Sequence, residues 1–227
     1  MRNTRLLGLA LSLTLALPAA AQAGPLTVVE LFTSQGCSSC PPANANLARL
    51  ADRPDILALS FGVTYWDKLG WKDTFASKAY TDRQWAYAKG LRHSQVWTPQ
   101  VVVNGRTDVV GTKPGEIESA ARKAPMAVGP QLSVSDGVLT VGASKTAKAE
   151  VWLVRYDPAI VQVPVRRGEN TGKTLPHRNV VREMTRLGAY TGQAITYRLP
   201  ANTHPNLKTA ILVQAGPGGA ILAAAKT

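Results

Sequence analysis

Three short apolar runs in the first half of the chain are rich in β-branched residues and predict buried strands. They are Leu26–Phe32, Ile56–Val63 and Val101–Val103. An alanine-rich pattern from Ala43 to Ala51 separates the first two runs and predicts a helix. The order strand, helix, strand implies two parallel strands that are joined by a right-handed crossover.

Two further helices and a hairpin complete this half. One helix is expected to be capped by Asp73 or Thr74 and to run to about Leu91, and another to cover Pro114–Lys123. Asn104-Gly105 stands between apolar runs, which is typical of a β-hairpin. The predicted order is therefore β-α-β-α-β-β-α.

The second half alternates short apolar and polar runs with turn signals, which predicts antiparallel strands in a sandwich-like arrangement. The predicted strands are Gln131–Ser135, Val138–Val141, Glu150–Tyr156, Ile160–Arg167, Ala194–Leu199, Thr209–Gln214 and Ala220–Ala224. A longer segment, Thr174–Tyr190, contains a stretch from Val180 to Leu187 that fits helix or strand equally well. We expect a domain at 24–124, a linker at 125–130 and a β-rich extension at 131–227.

The first 23 residues read as an export signal. Arg2 and Arg5 precede an apolar run that is too short to span a bilayer, and Ala21-Gln22-Ala23 fits the small-x-small cleavage rule. We therefore expect cleavage after Ala23 and a periplasmic or secreted mature protein without an integral membrane segment. An oxidising compartment of this kind allows a disulfide to persist.

Charge is distributed unevenly along the chain. The sequence has 26 basic and 14 acidic residues, a net charge of +12. From 24 to 120 we count 10 basic and 9 acidic residues, but from 121 onward 14 basic and 5 acidic. The basic excess thus lies in the extension. In an exported protein without a nucleic-acid motif, we expect it to favour solubility and weak attraction to the envelope rather than nucleic-acid binding.

The two cysteines, Cys37 and Cys40, are the candidate chemistry. They follow a strand and precede a helix, the layout of a thiol–disulfide redox site. The order of elements, with this pair after the first strand and a Thr-Pro before the third, is the plan of a thioredoxin-like domain. The alternative is an inert bridge, although closing so small a loop contributes only about 2 kcal/mol.

In the redox hypothesis Cys37 is the exposed nucleophile, and Cys40, one helical turn on, resolves the mixed disulfide. No charged residue occurs between Leu31 and Ala48. The helix dipole and the hydroxyls of Ser38 and Ser39 are therefore the expected sources of a lowered Cys37 pKa. The reaction, thiol–disulfide exchange, needs no metal and no organic cofactor. Its expected partners are thiols and disulfides of periplasmic proteins.

A second segment is expected to lie opposite the pair. Trp97, Thr98 and Pro99 are the candidate substrate-binding residues. If the Thr98-Pro99 bond is cis, an unpaired backbone edge stands beside Cys37, and a substrate peptide can add to it as a strand.

Glu30 interrupts the first apolar strand, where a carboxylate is costly unless it is paired or protonated. One hypothesis gives it proton handling near the cysteines. The other pairs it with a neighbouring basic or hydroxyl group.

Two other classes of function stay open at this stage. A Cys-x-x-Cys pair can bind copper(I) or zinc, with His93 as a further ligand from the loop before Pro99. Alternatively, the protein is a non-catalytic envelope binding module with an inert disulfide. Gly168-Glu169-Asn170 and a basic cluster would then contact a partner; the cluster is Arg166, Arg167, Lys173, Arg178, Arg182 and Arg186.

Several stretches together resemble one family. They are Val28–Ala43, Tyr65-Trp66-Asp67 with Leu69-Gly70-Trp71, Arg83-Gln84, Thr98-Pro99-Gln100, Gly168-Glu169-Asn170 and Asn179–Arg182. The resemblance is to an exported bacterial family of unassigned function, domain of unknown function 1223. It implies a thioredoxin-like fold with a C-terminal β extension, and no substrate. Two positions depart from the family pattern: Asn44 replaces an expected aspartate and His177 an expected tyrosine.

Overall fold

The structure is a computed structural model that describes residues 26–124, 129–145 and 148–227. The predicted export signal, residues 1–23, lies outside these ranges, as do residues 125–128 of the predicted linker. Within the described ranges, no helix has both the length and the apolar character needed to cross a bilayer.

The first half follows the predicted order of elements. It contains β1 (Thr27–Thr33), α1 (Cys40–Leu50), β2 (Ile56–Gly62), a single 3-10 turn (Asp67–Leu69), α2 (Lys78–Gly90), β3 (Gln100–Val103), β4 (Thr107–Val110) and α3 (Pro114–Lys123). β1 pairs in parallel with β2 and antiparallel with β3, and β3 forms the predicted hairpin with β4.

One boundary in this half was predicted wrongly. The second helix is not capped by Asp73 or Thr74; its N-cap is Ser77, three to four residues later. The reason is that the Asp73 carboxylate accepts hydrogen bonds from the backbone N–H of Gln35 and of Phe75, and Ala76 forms an isolated bridge with Gly62. Residues 73–76 are thus held in a loop by these contacts, so the helix begins after them.

The second half supplies nine strands. They are β5 (Leu132–Ser135), β6 (Val138–Val141), β7 (Ala149–Asp157), β8 (Val161–Pro164), β9 (Thr174–His177), β10 (Val180–Tyr190), β11 (Ile195–Arg198), β12 (Lys208–Gln214) and β13 (Ile221–Lys226). The ambiguous stretch from Val180 to Leu187 is therefore strand.

Both halves share one mixed sheet of eight strands, in the order β13-β12-β7-β10-β2-β1-β3-β4. The junction is at β10, where Val180 pairs in parallel with Ser60 of β2. Asn179, at φ 51°, precedes it; its side chain donates to the Ala58 carbonyl, and its own carbonyl accepts from the Ser60 amide. Four strands of the extension thus continue the sheet, which the alternating sequence pattern did not indicate.

The remaining strands form two small sheets, β11-β6-β5 and β8-β9. The sandwich-like expectation applies only to the first. Leu139 and Val141 of β6 pack on Val151, Leu153 and other apolar residues of the large sheet. The fold is accordingly a mixed α/β architecture with one large sheet and few helices.

The two faces of β1 pack against different helices. Val29 and Leu31 belong to a buried cluster with residues of α1 and α3, whereas Val28 and Phe32 belong to one with Tyr87 of α2. Since side chains alternate along a strand, Glu30 lies on the α2 face. This alternation separates Glu30 from the helix that carries the cysteines.

Candidate functional site

The cysteine pair lies at the start of α1. Cys40 is the first residue of the helix, Ser39 is its N-cap, and Pro41 and Pro42 fill the first turn, where no intrahelical N–H bond is lost. Cys37 and Cys40 form a disulfide, with Cα atoms 5.4 Å apart. The predicted strand, loop and helix layout of the site is therefore present.

The predicted exposure of Cys37 is wrong. Cys37 and Cys40 are both 0% exposed, and only Ser38 and Ser39 between them reach solvent. Ser39 Oγ lies 3.3 Å from Cys37 Sγ. Both cysteines are buried because two segments, distant in sequence, pack against the loop at 34–39 between β1 and α1, which we call the cysteine loop.

The first covering segment is the loop between β8 and β9, in the second half of the chain. Asn170, itself 0% exposed, donates from Nδ2 to the carbonyls of Gln35 (3.0 Å) and Cys37 (2.8 Å). Its neighbour Glu169 accepts a hydrogen bond from the Ser38 backbone N–H at 3.0 Å. The extension therefore binds the cysteine loop directly through backbone groups.

The second covering segment is the loop before β3. The Thr98-Pro99 bond is cis, as the hypothesis required, and the Thr98 carbonyl oxygen lies 3.9 Å from Cys37 Sγ. The Trp66 indole N–H donates to Thr98 Oγ1 at 2.7 Å. A Cβ added at Gly111 would come within 3.3 Å of Pro99 Cβ and 2.9 Å of Ala43 Cβ. Glycine at 111 thus lets this loop approach α1 closely.

Polar side chains of the loop after β2 form hydrogen bonds with Gln35 of the cysteine loop. The Gln35 amide N–H donates to the Asp73 carboxylate at 2.7 Å, and Gln35 Oε1 accepts from the Trp71 indole at 2.9 Å. Burial raises the pKa of Asp73, an effect that the backbone N–H groups of Gln35, Phe75 and Ala76 oppose. These contacts tie the loop after β2 to the cysteine loop.

Trp97, the third predicted substrate-binding residue, is half-buried. Its carbonyl accepts a hydrogen bond from Gln84 Nε2 at 2.7 Å. Its ring packs edge-on against His93, with the two ring centroids 5.1 Å apart. Its indole N–H is buried and has no partner among the described residues.

Glu30 is paired, as the second hypothesis held. It is 0% exposed, binds Arg83 Nε at 2.8 Å and accepts a short hydrogen bond from the Tyr87 hydroxyl. Arg83 also donates to Gln214 of β12 at 3.0 Å. Burial alone lowers the pKa of Arg83, but the charge and the hydrogen bond of Glu30 together with Tyr87 outweigh it, so the pKa of Arg83 is raised. Neither cysteine is a partner of Glu30 within the described residues.

The two positions that depart from the family pattern meet in space. Asn44 on α1 lies 3.4 Å from His177 Nδ1 on β9 and accepts from the Thr33 hydroxyl at 2.9 Å. His177 is 3% exposed, and its Nε2 has no partner among the described residues. Burial lowers its pKa to about 4. The contact between Asn44 and His177 thus joins α1 to β9 of the extension.

His93 is committed elsewhere. Its Nε2 lies 3.0 Å from the Asp108 carboxylate, and within the described ranges His93 forms no hydrogen bond with either cysteine. Within those ranges, no three His, Cys, Asp or Glu side chains come together in a group that could hold a metal ion.

Fold and site together define a mixed α/β protein with a buried Cys-x-x-Cys disulfide at a helix N-terminus. The chain belongs to the family described as "Protein of unknown function (DUF1223)", whose model matches residues 28–214. The resemblance drawn from the sequence motifs is thereby confirmed at the level of the family.

Two solved structures are similar to this chain. A crystal structure of an Agrobacterium tumefaciens protein is 32% identical, with 91% of this chain and 95% of that chain covered and a TM-score of 0.74. HBP35 of Porphyromonas gingivalis is 13% identical, with 89% and 74% covered and a TM-score of 0.54. At that identity the second likeness concerns the fold alone. No curated protein matches the chain.

Glu169 and Asn170 are the site residues that sequence reasoning did not assign to the cysteines. Gly168-Glu169-Asn170 was visible as a motif of the family, but more than 130 positions separate it from the cysteine loop. Nothing in a single sequence says which loop a distant motif will contact.

Proposed function

We propose that the protein is an exported thiol–disulfide oxidoreductase that acts through Cys37 and Cys40, on a thioredoxin-like first half. The observation that carries the proposal is the disulfide at the start of α1 with the Thr98 carbonyl 3.9 Å from Cys37 Sγ. A helix N-terminus favours a thiolate, which is the nucleophile of exchange. The predicted signal at residues 1–23 supports a periplasmic or secreted location.

The exchange balances with a substrate disulfide alone. In the reduced protein the Cys37 thiolate attacks one substrate sulfur, a Cys37–substrate S–S bond forms, and the substrate S–S bond breaks to release a thiolate that takes up a proton. The Cys40 thiolate then attacks Cys37 Sγ and releases the second substrate thiol. The pair loses two electrons and the substrate gains them; the reverse sequence oxidises a substrate dithiol.

Access to Cys37 requires a local opening, since neither cysteine is exposed. Thr98 is half-buried and Ser38 is exposed. A substrate that reaches Cys37 between the loop before β3 and Ser38 therefore displaces the least protein. In this proposal Trp97, Thr98 and Pro99 contact the incoming peptide.

The test uses three variants of the mature chain: Cys40→Ser, Cys37→Ser and the double variant. We expect reduced Cys40→Ser to form a mixed disulfide with oxidised glutathione at least about tenfold faster than reduced Cys37→Ser, because Cys37 is the nucleophile. Mass spectrometry of quenched samples measures both rates, and the double variant gives the background. Equal and slow rates would rule out Cys37 as a nucleophile.

Full burial of both cysteines favours a second candidate, a binding module in which the disulfide is inert. The two candidates differ in the reduction potential of the pair. A structural disulfide lies below about −300 mV, whereas catalytic pairs lie between about −270 and −120 mV. Equilibration of the whole protein in dithiothreitol and glutathione buffers, with thiol alkylation as readout, distinguishes them.

A further inference from the structure

The carboxylate of Glu169 is hydrogen-bonded to the backbone amide that directly follows Cys37. The contact is 3.0 Å, from the Ser38 N–H to Glu169 Oε2. Glu169 forms no ion pair within the described ranges, so no basic side chain neutralises it there. Its own pKa is lowered, first of all by this backbone hydrogen bond, which keeps it ionised near neutral pH.

The Ser38 N–H belongs to the residue between Cys37 and the N-cap Ser39, so Glu169 places its charge next to Cys37 at the start of α1. Unpaired backbone N–H groups at a helix N-terminus stabilise an anion. α1 itself has no acidic residue in its first turn and no side-chain cap at Ser39, so the carboxylate at this end comes from another part of the chain.

The other neighbours of Cys37 do little to compensate. The Thr98 oxygen, 3.9 Å away, is a carbonyl that can accept from a thiol but not donate to a thiolate. The Ser39 hydroxyl, 3.3 Å from Cys37 Sγ, can donate. The basic residues of the packed loops, Lys68, Lys72, Arg166, Arg167 and Lys173, bind neither Cys37 nor Glu169 in the described contacts; Lys173 instead donates to Asn170 Oδ1.

We propose that Glu169 biases the cysteine pair towards the disulfide, by occupying the Ser38 amide and by repelling a thiolate at Cys37. Like charges in one site disfavour ionisation of the second group. The reduced pair is then a stronger electron donor than a Cys-x-x-Cys with a free helix N-terminus. Glu169 is a positioning residue that acts through Cys37, and the inference rests on the proposed redox function of that pair.

The test compares Glu169→Gln with the wild type in the whole mature protein. Glutamine keeps one oxygen that can accept from the Ser38 N–H and removes the negative charge, with an NH2 group in place of the second carboxylate oxygen. We expect the pKa of Cys37 in the reduced protein, measured from alkylation rate against pH, to fall. The equilibrium constant for reduction of the disulfide by glutathione should rise about three- to tenfold, the upper figure corresponding to about 30 mV.

Two further variants separate charge from structure. Glu169→Lys should shift both readouts further in the same direction. Glu116→Gln is the matched control, because Glu116 is also an exposed carboxylate in a helix N-terminal region, in the first turn of α3; it should shift neither. The difference between wild type and Glu169→Gln should also shrink at high salt, because exposed charges are screened.

The outcomes are distinct. An unchanged potential and Cys37 pKa in both Glu169 variants would overturn the role of Glu169, even if Cys40→Ser forms its mixed disulfide rapidly. A shifted potential in a protein whose Cys37 forms no mixed disulfide would uphold the role of Glu169 and overturn the proposed exchange. A loss of stability in Glu169→Gln without a fall in the Cys37 pKa would mean that Glu169 only anchors its loop.

Discussion

Two glutamates in this protein show how surroundings decide what a carboxylate does. Glu30 is fully buried, with Arg83 and Tyr87 bound to it, on the face of β1 that packs against α2. Glu169 is exposed, has no cation bound to it in the described contacts, and accepts from the amide beside Cys37. The first is the residue that sequence reasoning selected for proton handling. The second, in a distant loop, is the one that contacts the cysteine loop.

The difference lies in where the charge is compensated. Arg83 matches the charge of Glu30 in a closed network that also includes Gln214 of β12 and joins β1 to α2 and to the extension. A closed ion pair of this kind has little electrostatic effect beyond its own members. Glu169 instead carries a net charge at a helix N-terminus, where it acts on whatever ionises there.

The largest effect should come from opening the buried network. Glu30→Gln leaves the Arg83 guanidinium buried without its counterion, which typically costs about 3–5 kcal/mol of stability. Urea unfolding of the oxidised protein measures the loss, and the Cys37 pKa should not change. Glu169→Gln, the same substitution in the other region, should lower the Cys37 pKa and leave the stability nearly unchanged. A Cys37 pKa that moves in Glu30→Gln would restore the proton-handling hypothesis.

The next effect concerns His177, behind the cysteine helix. Its pKa is about 4 in the fold and about 6.5 in the unfolded chain, so the unfolded state binds a proton first as the pH falls. The contribution of His177 to the free energy of unfolding is therefore complete above pH ~6.5, and up to about 3 kcal/mol of it is lost as the pH falls to ~4.

Urea unfolding at a series of pH values measures this contribution. His177→Gln should flatten the profile between pH ~4 and ~6.5 relative to the wild type. His204→Gln is the control, because His204 is exposed and should leave the profile as it is. Identical slopes in the wild type and His177→Gln would show that His177 protonates without opening the contact with Asn44.

A smaller effect is expected from the loop that covers the disulfide. Asn170→Ala removes the side-chain donor of two buried carbonyls, that of Gln35 and that of Cys37, which keeps the Cys40 N–H, at a cost of about 2 kcal/mol. It should also speed alkylation of reduced Cys37, because the cover opens more often. Thr171→Ala, in the exposed part of the same loop, is the control for both readouts. Unchanged alkylation would mean that the substrate approach lies elsewhere.

The smallest effect should be at an exposed ion pair. Lys78 and Asp82 are 83% and 59% exposed in their side chains and 2.6 Å apart along α2. Lys78→Ala should change stability by less than about 0.5 kcal/mol. A loss comparable to that of Glu30→Gln would mean that burial is not the reason for the strength of the first network.

Local pattern was enough for much of the first half. The runs Leu26–Phe32 and Ile56–Val63, the Asn104-Gly105 turn and the helix at Pro114–Lys123 are each decided by residues near in sequence, and each is found. The cysteine pair before α1 was visible for the same reason, since strand, loop and N-cap are consecutive. Membership of the family followed from motifs spread along the chain.

Tertiary structure alone decided the rest. Whether β10 would join β2 depends on an Asn179 turn and on a sheet edge built by other residues, so alternation could predict strands but not their sheet. The charge at Glu30 could be read from the sequence, but its counterion lies 53 positions away in Arg83. The burial of Cys37 comes from the loop before β3, 61 positions on at Thr98, and from the loop between β8 and β9, which also supplies the carboxylate at Ser38 from 131 positions away. Contacts over such separations are set by packing of the whole chain, and a single sequence carries no local signal of them.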